Sequence, residues 1–149
     1  MTGNSANHEF DFWLGEWDLT WGDNVHGTNR IEAILDGAVV QENFNGDGLI
    51  GISVSVFSKE DARWHQTWVD NSGSYLDFAG EFADGKMILS RDGIANGQQV
   101  RQRMVWYDIK PDHFQWTWER SDDEGATWKI IWNIQYQRRV AANSQSSIM

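Results

Sequence analysis

Apolar and polar residues alternate with a period of two along most of this chain. In 52-ISVSVF-57, Ile52, Val54 and Val56 oppose Ser53 and Ser55. In 114-FQWTWER-120, Phe114, Trp116 and Trp118 oppose Gln115, Thr117 and Glu119. In 128-WKIIWNIQY-136, Trp128, Ile130, Trp132, Ile134 and Tyr136 fall on one face. Successive side chains of an extended strand point to opposite sides, so these segments read as half-buried antiparallel strands. Helical periodicity is hard to find. Asx–Gly pairs punctuate the pattern: Asp36-Gly37, Asn45-Gly46, Asp47-Gly48, Asp84-Gly85, Asp92-Gly93 and Asn96-Gly97. Such pairs tolerate positive φ and build tight hairpin turns.

The segments predict about ten strands, near 16–22, 27–35, 38–45, 49–58, 62–70, 73–83, 86–92, 98–108, 113–120 and 127–138. Nearly every connection is hairpin length. A flat meander this wide would twist and leave two open edges, and closing it removes both. The chain is therefore predicted to be all-β, an up-and-down antiparallel barrel of about ten strands, with a two-sheet sandwich as the alternative. Near the start, 10-FDFWLGEWDLTW-21 spaces Trp13, Trp17 and Trp21 four apart, which suits a helix stripe or one strand face. Gly15 and the β-branched Thr20 disfavour a helix through the segment. Residues 8–14 are predicted as a short helical turn and a strand begins near Glu16. Trp17, Leu19 and Trp21 then look inward, and Trp13 plugs one end.

Composition narrows the picture. The 149 residues suffice for one domain, predicted over 1–149, with 1–7 and 141–149 flexible. Ten Trp call for a large core or a lined cavity. A net charge of −10, with no basic run longer than Arg138–Arg139, disfavours nucleic acid and anionic membranes. Cysteine is absent, which removes disulfides and thiolate metal sites. No basic and apolar leader and no long apolar run are found, so the expectation is a cytoplasmic protein.

Gly15-Glu16-Trp17, opening the first strand of a closed meander after a helical plug, resembles the GxW signature of the calycin superfamily. That superfamily holds the lipocalins, fatty-acid-binding proteins and nitrobindin-like barrels. The resemblance implies that Trp17 packs under an Arg of the last strand. In 136-YQRR-139 that is Arg138, which shares the face of Trp132 and Tyr136, with Arg139 as the substitute. The wording FDFWLGEW, with 64-WHQTWVDNSG-73, also resembles a bacterial family of unknown function placed near the calycins, and brings no assigned activity. Nitrobindin-like barrels hold haem through a late-strand histidine. The last strand here carries Trp132 and Asn133 and no His, so no cofactor is predicted and haem is disfavoured.

Several stretches carry candidate chemistry. The segment 121-SDDEGATW-128 matches the Asp-box of sialidase hairpins. Ser121 and Asp123 can bond turn amides, Gly125 supplies a permissive φ and Trp128 packs beneath, so turn chemistry explains it without any activity. In 63-RWHQTWVDN-71, Trp64, Gln66, Trp68 and Asp70 share a face. If the indoles point inward, Gln66 is a buried amide that needs a partner, either a ligand or a neighbouring strand. In 101-RQRMVWYD-108 either face can be the inner one. Arg101 and Arg103 inside would suit a carboxylate, but solvated positions outside are favoured, because unpaired buried charge is costly. The histidines His8, His26, His65 and His113 form no zinc motif, so no metal is predicted. His65 is the best single base, although a lone strand His is more often structural.

Three functions follow as expectations. The first is a carrier or sensor that binds a small hydrophobic or aromatic molecule in the barrel. Its walls would be Trp17, Trp64, Trp68, Trp116 and Trp132, with Gln66, Tyr107, Arg101 and Arg103 as orienting groups. The second is an isomerase, cyclase or lyase acting on an apolar substrate in that cavity, with His65, Asp70 and Glu119 as candidate acid or base. The third is a glycan-binding module with exposed Trp. A homodimer is the default assembly.

Overall fold

The structure, a computed structural model, describes residues 6–140. The flexible ends expected over 1–5 and 141–149 lie outside the described residues. Ala6 and Asn7 lie in a short 3-10 turn, Ala6–His8. Ten strands follow: β1 (Gly15–Trp21), β2 (Val25–Ile34), β3 (Val39–Gly46), β4 (Leu49–Ser58), β5 (Arg63–Asp70), β6 (Tyr75–Ala83), β7 (Lys86–Ala95), β8 (Gln98–Tyr107), β9 (His113–Ser121) and β10 (Lys129–Arg138). Each pairs antiparallel with its sequence neighbours. β1 pairs with β10 through Trp17–Arg138 and Leu19–Tyr136, which closes the barrel and excludes the sandwich.

Three connections are two-residue hairpins in which both residues have positive φ: Asp47-Gly48, Asp84-Gly85 and Asn96-Gly97. This is the primed turn whose twist matches that of paired strands. Two expected turns are absent. Asn45-Gly46 ends β3 and Asp92-Gly93 lies within β7. At Gly93 a Cβ would collide with the side chains of Gln102 and Arg91, so that glycine serves close packing rather than a turn.

The N-terminal plug is two 3-10 turns instead of one turn over 8–14. The second, Asp11–Trp13, stops because Leu14 is already extended, at ψ 140. Phe10 and Trp13 are buried in the barrel end and pack on Trp106, with ring centroids 5.1 and 5.2 Å apart. Trp17 donates from Nε1 to Trp13 O at 2.8 Å. Arg138 Cζ stands 4.2 Å over the Trp17 ring, as the resemblance implied. Its guanidinium also donates to Leu14 O at 2.7 Å, Phe12 O at 3.3 Å and Pro111 O at 2.9 Å. One cation thus ties the last strand to the plug, the first strand and the β8–β9 loop. A cation–π contact alone is worth roughly 0.5–2 kcal/mol.

Two strand faces differ from expectation. In β4, Ser53 and Ser55 are 1% and 0% exposed, whereas Ile52 and Val54 are 44% and 42% exposed. The inner side of the barrel at β4 is polar, so the serines go in and the aliphatic side chains go out. In β10 the register shifts between Ile130 and Trp132, a β-bulge. The bulge breaks the five-residue face. Ile130 is 61% exposed, while Trp132, Ile134 and Tyr136 line the interior. Trp128 lies before β10, stacked on Arg103 with its ring centroid 4.0 Å from Cζ.

Candidate functional site

The end opposite the plug holds a cavity of about 300 Å³. Phe44 at the end of β3, Trp68 on β5, Phe78 on β6, Trp116 and Trp118 on β9 and Trp132 on β10 wall it. Leu49, Leu76, Met104 and Ile134 fill the spaces between the rings. The rings meet almost at right angles. Trp116 and Trp132 lie 5.5 Å apart at 88°, and Phe44 and Trp132 lie 5.9 Å apart at 84°. Edge-to-face packing of this kind is favourable, since the positive edge of one ring meets the negative face of the next.

Two carboxyls reach the cavity, and their surroundings differ. Glu42 is 7% exposed, on the face of β3 that also carries Val40 and Phe44. Its Oε2 accepts from Asn29 Nδ2 at 2.7 Å, and its Oε1 accepts from Ser53 Oγ at 2.7 Å. Burial pushes its pKa up to about 7, against the two hydrogen bonds, which favour the charged form. The second N–H of Asn29 donates to Tyr136 Oη at 2.9 Å. Burial, and then the Glu42 charge, push the Tyr136 phenol well above its usual range, so it stays neutral. Asp70 stands at the rim beside Ser74. Partial burial raises its pKa, but bonds from Ser72, from Trp68 Nε1 and from the Ser72 and Ser74 amides outweigh that and hold it low. One cavity therefore contains a carboxyl poised near neutrality and another kept ionised.

Of the nine expected ligand-binding residues, Trp68, Trp116 and Trp132 line this cavity. Trp17 and Trp64 are spent in the plug. Trp64 packs on Phe10 at 5.0 Å and donates to Glu9 Oε1 at 3.1 Å. Gln66 is buried and donates to Ser55 Oγ at 3.0 Å, the neighbouring-strand alternative, and is not among the lining residues. Arg101 and Arg103 point outward, because Gln102, Met104 and Trp106 take the inner face of β8. Arg101 meets Asp92 and Glu124 O, and Arg103 pairs with Glu119 at 2.7 Å under Trp128. Tyr107 is on that outer face too, bonded to Gln115 and Asn133.

Among the three acid–base candidates, only Asp70 reaches the cavity. Glu119 is buried on the outer face, held by Arg103 and by the Thr117 hydroxyl at 2.7 Å. His65 is on the outer face of β5 and contacts Asp61 at 2.7 Å. Glu42 is the cavity-lining carboxyl that sequence reasoning missed. Its signal was present in 39-VVQENFNG-46, where it alternates with Val40 and Phe44 on an apolar face. All ten Trp are buried or half-buried, which leaves a sugar-stacking strip without a platform. Among the described residues no three His, Asp or Glu side chains converge on a metal position, and no helix is long and apolar enough to cross a membrane.

The closed up-and-down barrel, its plug and the Trp17–Arg138 latch are compatible with a calycin-like fold. No protein-family model matches the chain, and no curated protein matches it.

Proposed function

We propose that the protein is a calycin-type carrier or sensor that binds one small, flat, apolar or aromatic molecule in the barrel. The supporting observation is the cavity of about 300 Å³, walled by four indoles at the end of the barrel opposite the plug. That volume is at the small end of the range for ligand pockets, roughly 300–1,000 Å³, and suits one or two fused rings. Titration with the neutral two-ring probe 2-naphthol tests it. Saturable 1:1 quenching of tryptophan emission is expected, lost in Leu49→Trp, which narrows the mouth. Quenching that never saturates, or that Leu49→Trp leaves unchanged, would rule the proposal out.

An isomerase, cyclase or lyase using the same cavity is the second reading, and Glu42 is what favours it. A carboxyl near pH 7 beside aromatic walls can exchange a proton with bound substrate at little cost. In that case Glu42→Gln binds substrate and does not turn it over. Unchanged turnover in that variant would remove the enzyme reading.

A further inference from the structure

The charges of the cavity are all of one sign. Its two ionisable carboxyls are Glu42 and Asp70, and the remaining lining is aromatic, aliphatic or neutral polar. Arg91 and Arg120, on the inner faces of β7 and β9, are not among its lining residues. Arg91 donates to Gln102 Oε1 at 2.5 Å, and Arg120 faces Asp122 at 3.2 Å. Glu42 thus receives two neutral hydrogen bonds and has no countercharge. Asn29 Oδ1 and Gln66 Oε1 are buried acceptors with no donor among the described residues. An unpaired carboxylate in such a place is costly, and a cation seated beside it removes most of that cost. The walls favour the same sign, because the faces of Trp, Phe and Tyr rings carry the negative end of their quadrupole.

We propose that the cavity selects a cationic ligand, an arylalkyl amine or a protonated nitrogen heterocycle, whose ring stacks among Trp68, Trp116 and Trp132 and whose N–H⁺ bonds Glu42. This rests on the binding function proposed above and names the chemistry of its ligand. Asp70, ionised at the rim, draws the cation inward. The neutral Tyr136 hydroxyl beside Glu42 adds a hydrogen bond without adding charge. Near neutral pH much of Glu42 is protonated, so seating the amine releases that proton to solvent while the ligand keeps its own. Binding should strengthen as pH rises from 6 to 8 by roughly tenfold, following the ionised fraction of a group that titrates near 7. The groups facing Glu42 are Asn29, Ser53 and Tyr136, and none of these changes charge in that window.

Calorimetry with three probes of one shape tests this: 2-phenylethylamine, 2-phenylethanol and 3-phenylpropionate. At pH 8 the amine should bind about tenfold or more tighter than the alcohol, and the acid weakest. Glu42→Gln should cost the amine about tenfold and leave the alcohol within about twofold. Near pH 7 the amine's binding heat should depend on buffer ionisation enthalpy in the wild type and not in the variant. Equal binding of amine and alcohol, or amine binding indifferent to Glu42→Gln, overturns the charge inference and leaves the aromatic cavity standing. No binding of any probe, together with failure of the neutral-probe titration, overturns both.

Discussion

Gly15 is required twice over. Its φ is +125, a region that L side chains rarely enter, and a Cβ there would run into the Arg138 guanidinium. The glycine of the Gly15-Glu16-Trp17 triplet therefore clears space for the arginine that covers the tryptophan two residues on. Gly15→Ala should lower stability by roughly 2 kcal/mol or more, seen as a fall in Tm of about 4–8 °C. Glu42 has the opposite character: its native environment disfavours its charge. Its folded pKa of about 7 lies above the unfolded value of 4.5, so the folded state holds an extra proton between them. The stability it contributes is complete below about 4.5 and is lost as pH rises through about 7. Relative to Glu42→Gln, the wild type should lose on the order of 3 kcal/mol between pH 4.5 and pH 8, measured by urea denaturation at each pH. A constant difference across that range would show that Glu42 titrates normally. Trp68, Trp116 and Trp132 were legible as cavity walls from alternation alone. Glu42 was not, because an acidic residue in a chain of net charge −10 looks like solvated surface.

Among the elements, the β9–β10 connection shows how far local chemistry reaches. Asp123 accepts the Thr127 hydroxyl at 2.6 Å, the Thr127 amide at 2.9 Å and the Ser121 hydroxyl at 2.7 Å. The Thr127 hydroxyl, then its amide, then Ser121 hold the Asp123 pKa down to about 2. Ser121 Oγ in turn accepts the Gly125 amide at 2.8 Å. The contribution of Asp123 to the turn is therefore full above about pH 3.8 and is lost as pH falls through about 2. Asp123→Ala should speed amide exchange at Gly125 and Thr127 and release Trp128 from Arg103, while amides of β3 to β5 keep their protection. The Ser121 and Asp123 bonds to turn amides and the positive φ of Gly125 were readable from 121-SDDEGATW-128; the Thr127 hydroxyl bond and the Arg103 stack on Trp128 were not. The direction of β4 was not. Its alternation is visible in sequence, but whether Ser53 or Val54 faces inward depends on Glu42 and Gln66, carried by the adjacent strands β3 and β5. The bulge in β10 is likewise set by pairing with β9, and Ile130-Ile131 in sequence only blurs the alternation.

For the whole molecule, closure is the step that local chemistry does not provide. Nine hairpins form between sequence neighbours, but the barrel exists only when Trp17 meets Arg138 across nearly the full chain. Ordering such distant residues costs loop entropy before any contact offsets it, which makes the last pairing slow. Refolding should take milliseconds to seconds, with Trp17 reaching native emission in the final phase. Arg138→Ala should mainly speed unfolding, as for a contact made after the transition state, and an equal slowing of folding would place the latch in the nucleus. Strand number and four of the six Asx–Gly turns were readable in the sequence, because period-two alternation and Asx–Gly φ preferences act within a few residues, whereas the Trp17–Arg138 latch was implied only by the family resemblance. The open end, the cavity and the presence of Glu42 inside it were decided only by the tertiary structure. A strand pattern has two faces and does not say which is the interior, and a carboxyl becomes a poised interior group only when side chains from distant strands exclude water from it.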